Sequence, residues 1–172
     1  MIIAQFRQRN ATAKHHLLWR QINSHLTVNH GFEVVSLSKP AEFIAELLMT
    51  DGMPKSANEV SLSEMDREEF VQKVMQICRE SLCKSFWVFK VRNMLLRHIS
   101  QGEPVLVPDV YNAVEAMALR NMGARFVGCS GDAVVNDFYF QESDFVIEDT
   151  TNLSGFLDVM INRIALETTV CG

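Results

Sequence analysis

Short apolar runs of strand length recur along this chain, each followed by a longer stretch whose apolar residues fall at helical spacing, and that alternation limits the architectures open to it. The strand-like runs are Ile2 to Phe6, Gly31 to Leu37, Pro104 to Pro108 and Arg125 to Cys129, with a shorter one from Asp144 to Glu148. The helical stretches run from Leu17 to Ile22, Ala41 to Leu48, Ser63 to Leu82, Phe86 to Ile99, Ala113 to Met122 and Leu153 to Leu166. Gly102 and Gly123 follow two of them as stop signals, and Glu64 and Asp66 place acids at the positive end of another. Strands separated by helices need crossover connections, which make them parallel and cover the sheet on both faces. The expectation is one α/β domain over residues 1–172, with three layers and a mainly parallel sheet flanked by helices. A polar linker from Asp51 to Asn58 interrupts it, and internal repeats and low-complexity tracts are absent.

Composition narrows the function classes. Of the 172 residues 48% are apolar, enough for a sizeable core. No tract approaches the about 18 apolar residues of a membrane span. Gln5, Arg7, Gln8 and Arg9 break the N-terminal apolar run too early for a secretory signal, so the expected location is a cytoplasm. Cys78, Cys83, Cys129 and Cys171 form neither a metal-type pair of pairs nor a disulfide framework. A net charge of −5 argues against broad binding to nucleic acid or to an anionic membrane.

Between the first strand and the first helix lies Gln8-Arg9-Asn10-Ala11-Thr12-Ala13-Lys14-His15, at the place where a nucleotide-binding protein carries G-x-x-x-x-G-K-[ST]. In that motif the glycines let backbone N–H groups close around phosphates and the hydroxyl holds Mg²⁺. Gln8, Ala13 and His15 supply neither property, and Lys14 alone matches. Lys14 is a candidate phosphate contact, against the ordinary reading of a solvated lysine at a helix start. Asp109 stands at the carboxyl end of a strand, where ligands of open α/β sheets gather, or else caps the helix that follows. Glu115 lies about one turn further on. His15 and His16 point about 100° apart on a helix and lack a third ligand, so no metal site is expected there. Phe86, Trp87 and Phe89 read as core, and Arg79, Lys84, Lys90, Arg92 and Arg97 read as a solvated helical face with a nucleotide-facing patch as the alternative.

The block Val105-Leu106-Val107-Pro108-Asp109-Val110-Tyr111-Asn112-Ala113-Val114-Glu115-Ala116, followed by Met122-Gly123-Ala124-Arg125-Phe126-Val127, resembles a stretch of the phage-type deoxynucleoside monophosphate kinases that reads strand, Asp-Val-Arg, x-x-x-Glu-Ala, helix, Gly-Gly, strand. Phe145 to Leu153 resembles that family's closing Val-Ile-x-Asn-x-Gly-x-Leu segment, Gln76 and Phe86-Trp87-Val88 resemble its glutamine and tryptophan landmarks, and Gly31-Phe32 through Lys39-Pro40 resembles its Ala-x-Pro-Leu-Lys corner. The resemblance spans nearly the whole chain in order and implies a P-loop kinase fold. It also implies phosphoryl transfer from ATP to a deoxynucleoside monophosphate, a reaction carried by a backbone cradle, a lysine, Mg²⁺ and arginines that neutralise developing charge.

The chain departs from that pattern at each catalytic point. Its cradle glycines are replaced by Gln8 and Ala13, the Mg²⁺ hydroxyl by His15, and the arginine after Asp109-Val110 by Tyr111. The family's lid supplies arginines, whereas Cys129 to Asp149 holds no Lys or Arg and carries Asp132, Asp137, Glu142, Asp144, Glu148 and Asp149. Like charges about 4 Å apart repel by about 1 kcal/mol in water and several-fold more in a dry cleft. The expectation is a degenerate, catalytically silent member, with Lys14, Asp109, Tyr111 and Glu115 as vestigial nucleotide-site residues and no resident cofactor. Its expected partner is another protein, a host protein if the chain is phage-encoded. An active atypical kinase using ATP and Mg²⁺ with cations from the Arg79 to Arg97 region, a nucleotide sensor without turnover, and a homodimer stand as alternatives.

Overall fold

The computed structural model describes residues 1–6, 13–50, 67–129, 134–135, 138–147 and 150–170. Five strands form one parallel sheet: β1 (Ile2–Phe6), β2 (Glu33–Val34), β3 (Val105–Val110), β4 (Ala124–Cys129) and, at the far edge, a strand at Phe145–Ile147, in the order β2, β3, β1, β4, Phe145–Ile147. A two-stranded antiparallel ribbon, β5 (Val134–Val135) and β6 (Phe138–Tyr139), stands apart from that sheet, so the edge strand is β7. The helices are α1 (Ala13–His30), α2 (Lys39–Thr50), α3 (Arg67–Ser81), α4 (Phe86–Ser100), α5 (Ala113–Arg120) and α6 (Leu153–Val170). Three layers with an all-parallel central sheet are the architecture that the strand and helix alternation requires.

The pleat sends successive strand residues to opposite faces, and two separate cores follow from it. Ile2, Ala4 and Phe6 of β1 join Val105, Val107 and Phe126 under α2, α3, α4 and α5, where Trp87 is fully buried and its Nε1 donates to the Met75 carbonyl at 3.0 Å. Ile3, Leu106 and Val127 face the other way and meet Trp19, Ile22 and Leu26 of α1 and Leu157, Met160 and Ile164 of α6. Strands buried on both faces explain why β1 and β3 are apolar at nearly every position instead of alternating with polar residues.

Two details position the site. Opposite the step from Ala4 to Phe6 of β1, β3 runs three residues, from Val107 to Val110, so the ladder slips where Pro108 removes a donor and Asp109 follows. At the end of α1 the chain turns at Gly31, whose φ of +64° suits glycine, and the Phe32 N–H returns to the Leu26 carbonyl at 3.1 Å. The expected helix from Ser63 begins at Arg67 among the described residues, and residues 63–66 lie outside them.

Candidate functional site

A cleft of about 450 Å³ opens at the carboxyl edge of the sheet beside β2 and β3. Its floor is Pro108, Asp109 and Tyr111. One wall is the turn into α2, with Ser36, Ser38 and Glu42, and the other is the first turns of α3, with Arg67, Glu68, Val71 and Gln72. Parallel strands present their carboxyl ends together, and ligands of open α/β sheets collect there.

Asp109 is the centre of that floor and is only 6% exposed. Both its carboxylate oxygens are engaged: Oδ1 accepts the Leu37 N–H at 2.8 Å, and Oδ2 accepts the Ser38 N–H and the Ser36 hydroxyl, each at 2.8 Å. The bonds clamp the end of β3 to the turn that starts α2, where a negative charge also meets the positive end of a helix. Ser38 completes that turn by accepting the Glu42 N–H on its carbonyl at 2.9 Å. Capping of the following helix, the alternative for Asp109, belongs instead to Asn112, whose Oδ1 accepts the Glu115 N–H at 2.9 Å. Neither reading of Asp109 included this clamp, because Asp109 reaches to a segment 71 to 73 residues away, which spacing along the chain cannot show.

Glu115 has no exposure at all. Its Oε1 accepts from Arg79 Nε at 2.8 Å and its Oε2 accepts the Tyr111 N–H at 3.3 Å. Burial pushes the Glu115 carboxyl above the ordinary glutamate range, and the Arg79 guanidinium beside it pulls the other way without cancelling the shift. The Arg79 guanidinium carbon lies 6.0 Å from the centre of the Tyr111 ring, so the residue standing where the resembled family has arginine is flanked by a cation from α3. That cation is not available to a phosphate in the way a lid arginine is, because Glu115 neutralises it.

Arg79 therefore corrects the solvated-face reading of the basic residues from Arg79 to Arg97. It is 7% exposed, whereas Lys84, Lys90, Arg92 and Arg97 are on the surface as expected. Phe89 is also corrected: it is 69% exposed while its neighbours Trp87 and Val88 are buried, since residue 89 falls on the outer side of α4. Gln76 is exposed and donates to Glu80 at 2.7 Å, while Gln72, one turn earlier, faces the cleft. Asp144 does not belong to an acidic lid surface. Its side chain is buried, pairs with Arg120, and accepts the Phe126 N–H at 2.9 Å and the Gln141 N–H at 2.8 Å. Glu142 is exposed, and Asp132, Asp137, Glu148 and Asp149 lie outside the described residues.

Lys14 is the second residue of α1, with its side chain outside the described residues, as are Gln8 and the rest of the loop at residues 7–12. The structure brings Asp109, Tyr111 and Glu115 together at one end of β3. Ser36, Ser38, Glu42, Arg67, Glu68 and Gln72 join Asp109 and Tyr111 in the cleft, while Glu115 lies buried behind it, and only fold topology reveals that, because the lining comes from three separate stretches of the sequence. Among the described lining residues are three carboxylates, Asp109, Glu42 and Glu68, and one guanidinium, Arg67, and Glu42 pairs with Lys39 at 3.3 Å. No protein-family model and no curated protein matches this chain. Among the described residues no helix is long and apolar enough to cross a membrane.

Proposed function

We propose that this chain is a catalytically silent relative of the deoxynucleoside monophosphate kinases that acts by binding a protein partner. The observation that carries the reading is the state of the two carboxylates its resemblance to that family retains. Asp109 has both oxygens engaged by Ser36, Leu37 and Ser38, and Glu115 is sealed against Arg79 and the Tyr111 N–H. Five hydrogen bonds from the protein itself hold these two carboxylates to the fold, which favours a structural role for them over one at a metal-bound phosphate or an attacking hydroxyl. The described lining of the cleft keeps a small excess of carboxylates over cations even with Lys39 paired to Glu42, which suits a basic side chain on a partner better than a phosphate.

The test is a phosphoryl-transfer assay with ATP–Mg²⁺ and each deoxynucleoside monophosphate, run with calorimetric titration of the same ligands. The expected result is no transfer above background. Transfer that is present in the unmodified protein and abolished by Lys14→Ala overturns the proposal. The size of the cleft favours one second reading, a small-molecule sensor that binds without turnover. Saturable heat with a nucleotide, in the absence of transfer, selects the sensor over the protein-binding role.

A further inference from the structure

On the face of the sheet opposite the cleft, three donor atoms from two helices converge. Nε2 of His25 and Nε2 of His30, both on α1, each lie 2.8 Å from the same oxygen, Oδ1 of Asp158 on α6. The three atoms lie within 4.8 Å of one another, and the two imidazole rings are tilted with their centres 5.1 Å apart. The His25 side chain is 11% exposed and that of His30 25%, while Asp158 is 51% exposed, so the cluster is walled on the protein side and open on the other.

We propose that His25, His30 and Asp158 form a binding site for a borderline divalent transition ion of the Zn²⁺ class, which fastens the end of α1 to α6. Two imidazole nitrogens and one carboxylate oxygen are a donor set for such an ion and a poor one for Mg²⁺ or Ca²⁺, which take oxygen ligands. Zinc holds nitrogen and oxygen donors at about 2.0–2.2 Å in a tetrahedron, which sets them about 3.3 Å apart. The two 2.8 Å contacts lengthen to that spacing by a small outward movement of the exposed Asp158, and the two imidazole nitrogens, which lie within 4.8 Å of each other, reach it by rotation of the rings. Water fills the remaining position from the open side.

Two features of α1 favour the ion further. The second ring nitrogen of His25, Nδ1, lies 3.0 Å from the Asn29 side-chain amide nitrogen. Turned to present its oxygen, that amide accepts Nδ1–H and leaves the Nε2 lone pair for the metal, the usual outer contact of a ligating histidine. His30 is the last residue of α1, so the ion sits at the negative end of a helix.

The experiment uses tag-free full-length protein stripped with a chelator and titrated with ZnCl₂ by calorimetry and thermal unfolding. One saturating ion per chain and a raised unfolding midpoint are expected. Asp158→Ala and His30→Gln, both at partly exposed positions, should each weaken binding at least about tenfold, and Asn29→Ala should weaken it about 10–100-fold. His16→Gln, at an exposed position on the same helix, should leave binding unchanged. Co²⁺ bound in place of Zn²⁺ should give visible d–d absorption that disappears in Asp158→Ala. Absence of saturable binding in the unmodified protein overturns the proposal. So does undiminished affinity in Asp158→Ala and His30→Gln, which assigns the binding to other residues.

Discussion

The Nε of Arg79 lies 2.8 Å from Oε1 of Glu115 in a place where the two side chains are 7% and 0% exposed, and neither Nη of the arginine has a hydrogen-bond partner among the described residues. A buried pair of this kind gains Coulomb energy in a poorly polarisable surrounding and loses the hydration of both ions, so its net worth is small although its disruption is costly. Removing one partner strands the other. Glu115→Ala is therefore expected to destabilise the fold by about 3–5 kcal/mol, whereas Arg79→Met combined with Glu115→Leu should be neutral or stabilising by about 1–4 kcal/mol. Urea unfolding of the single and double variants checks the contrast, and a double variant as unstable as the single would show that the pair contributes net stability.

The raised titration of Glu115 has a direction that can be measured. Its native carboxyl holds a proton that the unfolded chain has already released, so between the ordinary value of 4.5 and the raised native value the native state binds more protons than the unfolded state. Stability contributed by this group is thus present below 4.5 and is lost as pH rises through the window, with a slope of at most about 1.4 kcal/mol per pH unit. Glu115→Gln, which does not titrate, should show a flatter fall in unfolding free energy above that pH. Parallel profiles for the two proteins would refute the assignment.

Asp109 is expected to behave as a clamp and not as a reacting group. Asp109→Ala leaves the Leu37 and Ser38 N–H groups without their acceptor and should cost about 3 kcal/mol, the upper end for bonds to a charged acceptor. Asp109→Asn keeps one acceptor oxygen and should cost less. Hydrogen exchange at Leu37 and Ser38 gives the local readout, since loss of the clamp should speed exchange there before it affects Val107. Unchanged protection in Asp109→Ala would remove the structural role.

Gly128 is required by contact. A Cβ built there would overlap the ring of Phe140, which lies across the end of β4 and packs against the larger core. Gly128→Ala should cost about 1–3 kcal/mol through overpacking, and Phe140→Ala in the same chain should recover part of that loss. Thermal unfolding of the two single variants and the double variant tests it: additive losses would mean that ring and glycine are independent.

If the proposed kinship with the deoxynucleoside monophosphate kinases holds, restoring the phosphate-loop motif should not by itself give phosphoryl transfer. Gln8→Gly, Ala13→Gly and His15→Ser together restore the motif glycines and hydroxyl, but the arginine expected at Tyr111 and those of the lid remain absent, and such an arginine is worth about 10³–10⁵ in rate. The triple variant is expected to transfer phosphate no faster than background. Transfer appearing in the triple variant would show that the missing arginines are not what withholds it.

Much of the fold was legible because its signals are local. The apolar run at Ile2–Phe6 and the 3.6-residue spacing of Leu18, Trp19, Ile22 and Leu26 each state a secondary structure through their own neighbours in the chain, and strands alternating with helices leave a parallel sheet as the way to bury both. The sequence likewise carried Asp109, Tyr111 and Glu115 to one end of one strand. What those residues do there was decided elsewhere. Asp109 found its donors on the turn after β2, and Arg79, which reads like its solvated neighbours on α3 and α4, was drawn inside by Glu115. His25 and His30 stand about 140° apart on an ideal helix, so spacing gives no reason to pair them. One carboxylate, 128 residues after the second histidine, brings them to a single point. Helical and strand periods act over a few residues, whereas burial, charge pairing and ligand geometry depend on which distant segments the sheet order places side by side, and that is fixed only when the chain has closed on itself.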